Sequence, residues 1–227
     1  MRARDALGAG LDVFEPECVI HFAGLKSVGE SVSDPLGYYE NNVVATHVLL
    51  GEMNRRNIKK LIFSSTAAVY GAPEALPMSV DHPTNPMSPY GKTKLVVEML
   101  LKDLVASDPE WSAVLLRYFN PVGAHSSGRI GESPVGVPNN LVPYVAMVAA
   151  GRLEQVAVFG SDFDTPDGTG VRDYIHVNDL AEGHIAAMAA LEAGEAPVFN
   201  LGTGRGSSVL DVIRASSEAS GCEIPFA

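Results

Sequence analysis

Leu61-Ile62-Phe63-Ser64-Ser65, running on into Thr66-Ala67-Ala68-Val69-Tyr70-Gly71, is an unbroken apolar run that ends in hydroxyl-bearing and small residues. A run this short, with no polar alternation, reads as a strand buried on both faces. Three more of the kind lie at Cys18 to Ala23, Ala113 to Phe119 and Val198 to Leu201. Between them are longer stretches with helical spacing, Pro35 to Asn57, Pro89 to Ser107, Leu141 to Gly151 and Val177 to Ala193. Buried strands alternating with helices predict an α/β fold with a doubly wound parallel sheet. Ligands of such sheets collect at the carboxyl ends of strands, which here carry Ala23-Gly24, Ser65-Thr66, Asn120 and Gly202. Asn120 to Pro138 and Gly160 to Gly170 are rich in turn-forming residues and read as long loops, which in compact domains usually carry function.

The 227 residues suffice for one large domain, or one domain and a small lobe. With 46% apolar and 19% charged residues, a packed core is expected. A net charge of -11 disfavours nucleic acid and anionic membranes as partners. Cys18 and Cys222 lack metal-type spacing, so no metal site is expected and a reducing compartment fits. Met1 to Gly10 is followed by no apolar run, unlike a signal peptide, and Leu141 to Ala150 is too short to span a bilayer. A soluble cytoplasmic protein is expected.

Ser88-Pro89-Tyr90-Gly91-Lys92-Thr93-Lys94 carries the most chemistry. Ser88 suits a helix N-cap and Pro89 the first helical position. Tyr90 and Lys94, four apart, then share one helical face. A phenol titrates near 10 and is a poor base at neutral pH, but a neighbouring ammonium favours the phenolate and makes a tyrosine base possible. A bare Y-x-x-x-K more often marks a packed tyrosine beside a solvated lysine. Plainer readings also apply elsewhere. His21 and His176 sit in apolar runs and read as core, Asp173 and Asp179 as caps, and Gly202 to Gly206 as a turn between strand and helix.

The strand-end hydroxyl followed by S-P-Y-G-K-T-K resembles the extended short-chain dehydrogenase/reductase family. Four stretches resemble its UDP-glucose 4-epimerase branch: Val19 to Lys26 (VIHFAGLK), Tyr38 to Val43 (YYENNV), Arg117 to Ala124 (RYFNPVGA) and Gly168 to Val177 (GTGVRDYIHV). The resemblance runs from about Cys18 to the end of the chain and implies a Rossmann-like fold with NAD as cofactor. It makes Tyr90 the catalytic base and acid. Lys94 would bind the nicotinamide ribose and lower the tyrosine pKa, and Thr66 stands where the family usually has serine, keeping the hydroxyl and adding a methyl. Phe22, Ala23, Gly24, Leu25 and Lys26 would line the NAD, with Asn41 and Phe119. Asn120, Asn140 and Leu141 would hold the UDP. Val156-Ala157-Val158-Phe159 resembles the strand that meets uracil, through Ala157 and Phe159, and Arg172 would pair with the diphosphate.

The implied reaction inverts the 4-position of UDP-glucose or UDP-galactose through a 4-keto sugar, with NAD carrying the hydride and the protein supplying orientation and proton transfer. A 4,6-dehydratase is disfavoured, because its further acid is replaced by Ala67-Ala68. A uronate epimerase fits Gly24 to Lys26 and Pro121 to Ala124 less well. The family's helices at Pro35 to Asn57 and Pro89 to Ser107 imply a homodimer. Residues 1–120 would be a partial NAD-binding domain, and residues 121–227 a mixed UDP-sugar lobe with returning Rossmann elements. No strand–glycine–helix opening is present: Gly8-Ala9-Gly10 follows no strand, and Gly202, Gly204 and Gly206 come late with the wrong spacing. About 60 residues, two units of ~30, read as missing from the front, and a further phosphate-binding section from the end. The alternative reading is therefore a non-catalytic fragment of such an enzyme.

Overall fold

The computed structural model describes residues 3–133 and 136–227. Met1 and Arg2 of the amino-terminal stretch, and Pro134 and Val135 of the first long loop, lie outside the described residues. Along the chain come α1 (Arg4–Phe14), β1 (Val19–His21), α2 (Val28–Ser33), α3 (Pro35–Tyr39), a π-helical turn (Glu40–Val44), α4 (Ala45–Arg55) and β2 (Lys60–Thr66). A 3-10 turn (Ala67–Val69), α5 (Pro89–Ser107), β3 (Ser112–Tyr118), β4 (Asn120–Val122) and α6 (Leu141–Ala149) follow. The last elements are β5 (Val171–His176), α7 (Val177–Met188), β6 (Val198–Leu201), β7 (Gly206–Ser208) and α8 (Val209–Ser220).

The chain divides into two compact units, Met1–Tyr118 with Glu182–Leu201, and Phe119–Ala181 with Gly202–Ala227. The first holds a parallel four-stranded sheet in the order β1-β2-β3-β6. Its strands alternate their side chains between two covered faces. Leu61, Phe63, Ala113 and Leu115 face α4 and α5, packing with Leu49, Met53, Val97 and Leu101. Ile62, Val114 and Leu116 face the other way, onto Ala187 of α7. This is the two-sided burial that the unbroken apolar runs require, in a Rossmann-like sheet.

The second unit is built on a smaller mixed sheet. β4 runs parallel to β5, and β7 antiparallel to β5. α6 and α8 share a core of Val145, Val148, Val156, Ile213 and Ile224. Asp211 and Ser208 form a reciprocal capping box at the start of α8.

Several expectations change. The strand at Cys18 to Ala23 is only Val19–His21, and among the described residues it pairs with β2 alone. The helix at Pro35 to Asn57 is interrupted by the π turn. The loop from Asn120 begins with a strand, because Asn120 to Val122 pair with Tyr174 to His176. Val156 to Phe159 forms one bridge, Val156 to Phe226, rather than a strand. Sequence patterning did not pick out α1. Its Leu7 and Leu11 stand one turn apart, and it is clamped to α4 by the fork of Arg56 on Asp12, at 2.6 and 2.8 Å. His176 is exposed rather than core, since only Ile175 of β5 is buried. Its Nδ1 accepts from the Asn178 amide at 3.2 Å and so caps the turn into α7.

Candidate active site

In the first unit the carboxyl ends of β1 and β2 meet the amino-terminal turns of α5. Ser88 accepts from the Gly91 amide at 3.1 Å and Pro89 fills the first helical position, so α5 begins where the capping signals require. A Cβ at Gly91 would stand 2.7 Å from the Ala68 carbonyl oxygen. Glycine thus lets the helix press against the 3-10 turn that follows Thr66. This contact brings Tyr90, half-buried, to within hydrogen-bonding reach of the buried Thr66 hydroxyl. The same hydroxyl accepts from the Ala68 amide at 3.1 Å, which fixes its rotamer.

Lys94, one turn further on, is buried. Its ammonium donates to the Ser64 carbonyl at 2.8 Å and lies 5.0 Å from the centre of the Phe63 ring. Burial depresses its pKa from 10.5 to about 8. Burial pushes the Tyr90 phenol up, and the Thr66 hydrogen bond pulls it down. Tyr118, at the end of β3, pairs with Thr66 in the sheet register. Its phenol bonds His184 of α7 and is held well above the usual tyrosine value by burial.

Phe22 to Lys26 emerge from β1 exposed. Asn42, the neighbour of the expected cofactor residue Asn41, holds this stretch. Its Oδ1 accepts from the Leu25 amide at 2.8 Å and from Asn41 Nδ2 at 3.1 Å. Its Nδ2 donates to the Leu25 carbonyl at 3.0 Å and to Thr93 Oγ1 at 3.1 Å. All four bonds of the amide are thereby used, and Thr93 in turn donates to the Tyr90 carbonyl at 2.7 Å. The π turn carries Asn42, in keeping with the frequent use of such turns at functional sites.

His21 is buried, as expected. Thr46 gives its single proton to the Asn42 carbonyl at 2.6 Å, so the 2.8 Å contact to His21 is donated by Nε2. Burial, and then the Lys94 charge, hold this imidazole neutral, with its pKa lowered to about 4.

Two groups important here were not singled out from the sequence. Asn42 stood next to a quoted asparagine but was given no role. His184, whose ring centre lies 4.8 Å from that of Phe22 and 5.3 Å from that of Tyr118, bore no motif at all.

The remaining expected residues lie in the second unit. Phe119 is half-buried at its start. Asn120 donates from Nδ2 to the Asp173 carbonyl at 2.9 Å, and Arg172 is exposed on the neighbouring strand β5, its Nη1 on the Val171 carbonyl at 2.7 Å. Asn140 and Leu141 open α6, the Asn140 side chain making no cap hydrogen bond. Ala157 is exposed, and Phe159 is 87% exposed. Asp173 accepts from the amides of Thr203 and Gly204 at 2.9 and 2.8 Å. A carboxylate therefore already uses the turn's amides, and the bend from Gly202 to Arg205 joins β6 to β7 rather than to a helix. Asp179 lies exposed in the first turn of α7, where an acid suits the positive end of the helix.

Comparison with known proteins gives a consistent answer. A model of the NAD dependent epimerase/dehydratase family matches residues 1–202. The chain is 56% identical over 224 residues to the UDP-glucose 4-epimerase of Bacillus subtilis, covering 98% of this chain and 66% of that protein. It is 56% identical over 210 residues to that of Dictyostelium discoideum, covering 92% and 61%. The chain thus spans just under two thirds of these curated relatives. Among solved structures, the UDP-glucose 4-epimerase of Bifidobacterium longum in complex with NAD+ and UDP superposes with a TM-score of 0.96 at 54% identity, over 100% of this chain and 68% of that one. The Stenotrophomonas maltophila enzyme with bound NAD and formylated UDP-arabinopyranose gives 0.95 at 48%, over 100% and 68%.

Proposed function

Because this chain belongs to the NAD dependent epimerase/dehydratase family, we propose that its residues serve the NAD-dependent interconversion of UDP-glucose and UDP-galactose by inversion at the sugar 4-position, in the cytoplasm and as a homodimer. One observation carries the reading: the Tyr90 phenol lies within hydrogen-bonding reach of the Thr66 hydroxyl at the end of β2, with the buried Lys94 ammonium one turn along the same helix.

The surroundings of that ammonium fit a nicotinamide dinucleotide. A Cβ at Gly24 would lie 3.4 Å from Lys94 Nζ, so the Phe22 to Lys26 stretch runs past the ammonium. Phe22 is 58% exposed and offers a flat apolar surface on the same stretch. Phe22 to Lys26, with Asn41, Tyr90 and Lys94, would hold the group. When bound, NAD supplies the hydride acceptor and donor. Tyr90 takes the proton of the sugar 4-hydroxyl and returns it. Thr66, whose hydroxyl is within reach of the phenol, orients Tyr90, and the Lys94 charge favours the phenolate. In the second unit Asn120, Asn140 and Arg172 offer donors suited to a UDP anchor, Arg172 by its fixed fork.

The family also contains dehydratases, and the 3-10 turn after Thr66 favours epimerisation. Ala67 and Ala68 stand there and offer no acid to protonate a leaving hydroxyl. The homodimer is supported by apolar side chains left outside on α3, the π turn and α5, among them Leu36 at 82% and Met99 at 57% exposure.

Conversion of UDP-galactose to UDP-glucose by the purified 227-residue chain with NAD+ tests the proposal. Turnover by the wild type is expected to fall ~100-fold or more in Tyr90→Phe, on the scale of losing a positioned acid–base group. A folded wild type that binds both ligands and shows no turnover, or a Tyr90→Phe variant as fast as wild type, rejects it.

A further inference from the structure

The face of α5 that bears the half-buried Tyr90 and the buried Lys94 continues to another buried polar residue, Glu98, at the next step of four. Its carboxylate is fully engaged. Oε1 accepts from the hydroxyl of Ser65, the residue before Thr66, and from Arg117 Nε at 3.0 Å. Oε2 accepts from Arg117 Nη2 at 2.6 Å. Arg117, equally buried on β3, donates from Nη1 to the Val80 carbonyl at 3.3 Å and lies 4.7 Å from the centre of the Tyr70 ring. The Tyr70 phenol donates to Asn200 Oδ1 at 2.6 Å, and Asn200 Nδ2 to the Met78 carbonyl at 3.0 Å. One polar network therefore ties α5 to β2 beside Thr66, to β3 and β6, and to the segment leading to the Ser88 cap. Buried ion pairs are weak sources of stability, since apolar pairs of similar volume often do as well. The position of this one, on the face of the reacting pair, points to alignment.

We propose that Glu98 and Arg117 are positioning residues that lock α5 against the ends of β2 and β3, so that Tyr90 meets Thr66 and Lys94 meets Ser64. The inference rests on the reading of Tyr90 and Lys94 as the reacting pair, and it reaches two residues given no role in binding or chemistry. Their action is geometric rather than Coulombic. The Glu98 charge is matched by Arg117, and the groups facing Lys94 include His21 from β1, which feels its charge, and Tyr90 one turn back on its own helix.

Replacing both partners separates alignment from stability. Glu98→Met and Arg117→Met are each expected to lower the melting temperature, and the double variant to recover most of the loss. The site is read by NMR titration of the Lys94 side chain, whose midpoint is set at about 8 by its burial. In the double variant that midpoint is expected to rise by one pH unit or more toward the ordinary lysine value of roughly 10.4. Arg117→Lys, which keeps the charge and loses the fork, provides a milder second variant with the same expected direction. A double variant, or Arg117→Lys, that folds like the wild type with the Lys94 midpoint still at about 8 overturns the proposal. The titration needs neither NAD nor a sugar nucleotide. An inactive wild-type chain whose Lys94 responds as expected would therefore reject the functional reading while leaving the alignment role standing.

Discussion

Lys94 keeps an ammonium out of water with the Ser64 carbonyl as its acceptor. The fall from 10.5 to about 8 corresponds to roughly 3 kcal/mol in favour of the neutral form. The sign follows from proton counting. Between pH 8 and about 10.4 the unfolded lysine binds the proton that the folded one has lost, so stability rises with pH through that window. The cost of burial is fully present below pH 8. Lys94→Met is therefore expected to raise the urea midpoint at pH 7, by up to ~3 kcal/mol of stability, with the advantage shrinking as pH rises from 8 to 10. An advantage that does not change with pH would show that the ammonium is not its source. A sequence that retains a lysine at this cost violates a packing rule at one place, which is where function is expected. The spacing of Tyr90 and Lys94 was legible because both belong to one helix. Asn42 and His184 were not, because what they do depends on partners far away in the chain: Leu25 and Thr93 for the first, Phe22 and Tyr118 for the second.

At the scale of elements, the approach of α5 to the turn after β2 depends on Gly91. Gly91→Ala would put a methyl 2.7 Å from the Ala68 carbonyl, and overpacking of this kind typically costs about 1–3 kcal/mol. The expected outcome is a lower melting temperature together with faster amide exchange at Ala68, whose N–H bonds Thr66. Unchanged exchange at Ala68 with wild-type stability would mean that the helix has room to spare. The elements that patterning located best, β2, β3 and α5, are those buried on both faces or marked by a cap and a proline. It overestimated β1, which has one neighbouring strand among the described residues and therefore a short ladder. It missed the π turn, because an extra residue within a helix leaves the apolar spacing nearly intact. It missed α1 because that helix is secured as much by the ion pairs Asp12–Arg56 and Arg4–Glu52 as by an apolar stripe.

At the scale of the molecule, the first unit leaves Met99 and Leu36 largely in water although its core has room only for the opposite helix faces. If these side chains form a homodimer seam, Met99→Glu is expected to shift sedimentation from dimer to monomer at micromolar concentration, because an unpaired carboxylate in an apolar seam is costly. Wild-type chain that sediments as a monomer throughout would reject the dimer. Among the described residues no helix is long and apolar enough to cross a membrane. The alternation of strand and helix was readable from β1 through β3 and again from α7 to β6, whereas the division at Tyr118 and the return of Glu182–Leu201 to the first unit depend on long-range packing that no local pattern encodes. The measurement that bears most directly on the proposed chemistry is a calorimetric titration of the 227-residue chain with NAD+, with and without UDP. Saturable binding that is weakened by Lys94→Met is the expected result. A folded wild-type chain that takes up no NAD+, or binds it equally well without the Lys94 ammonium, would contradict the cofactor site built from Phe22 to Lys26 and Lys94.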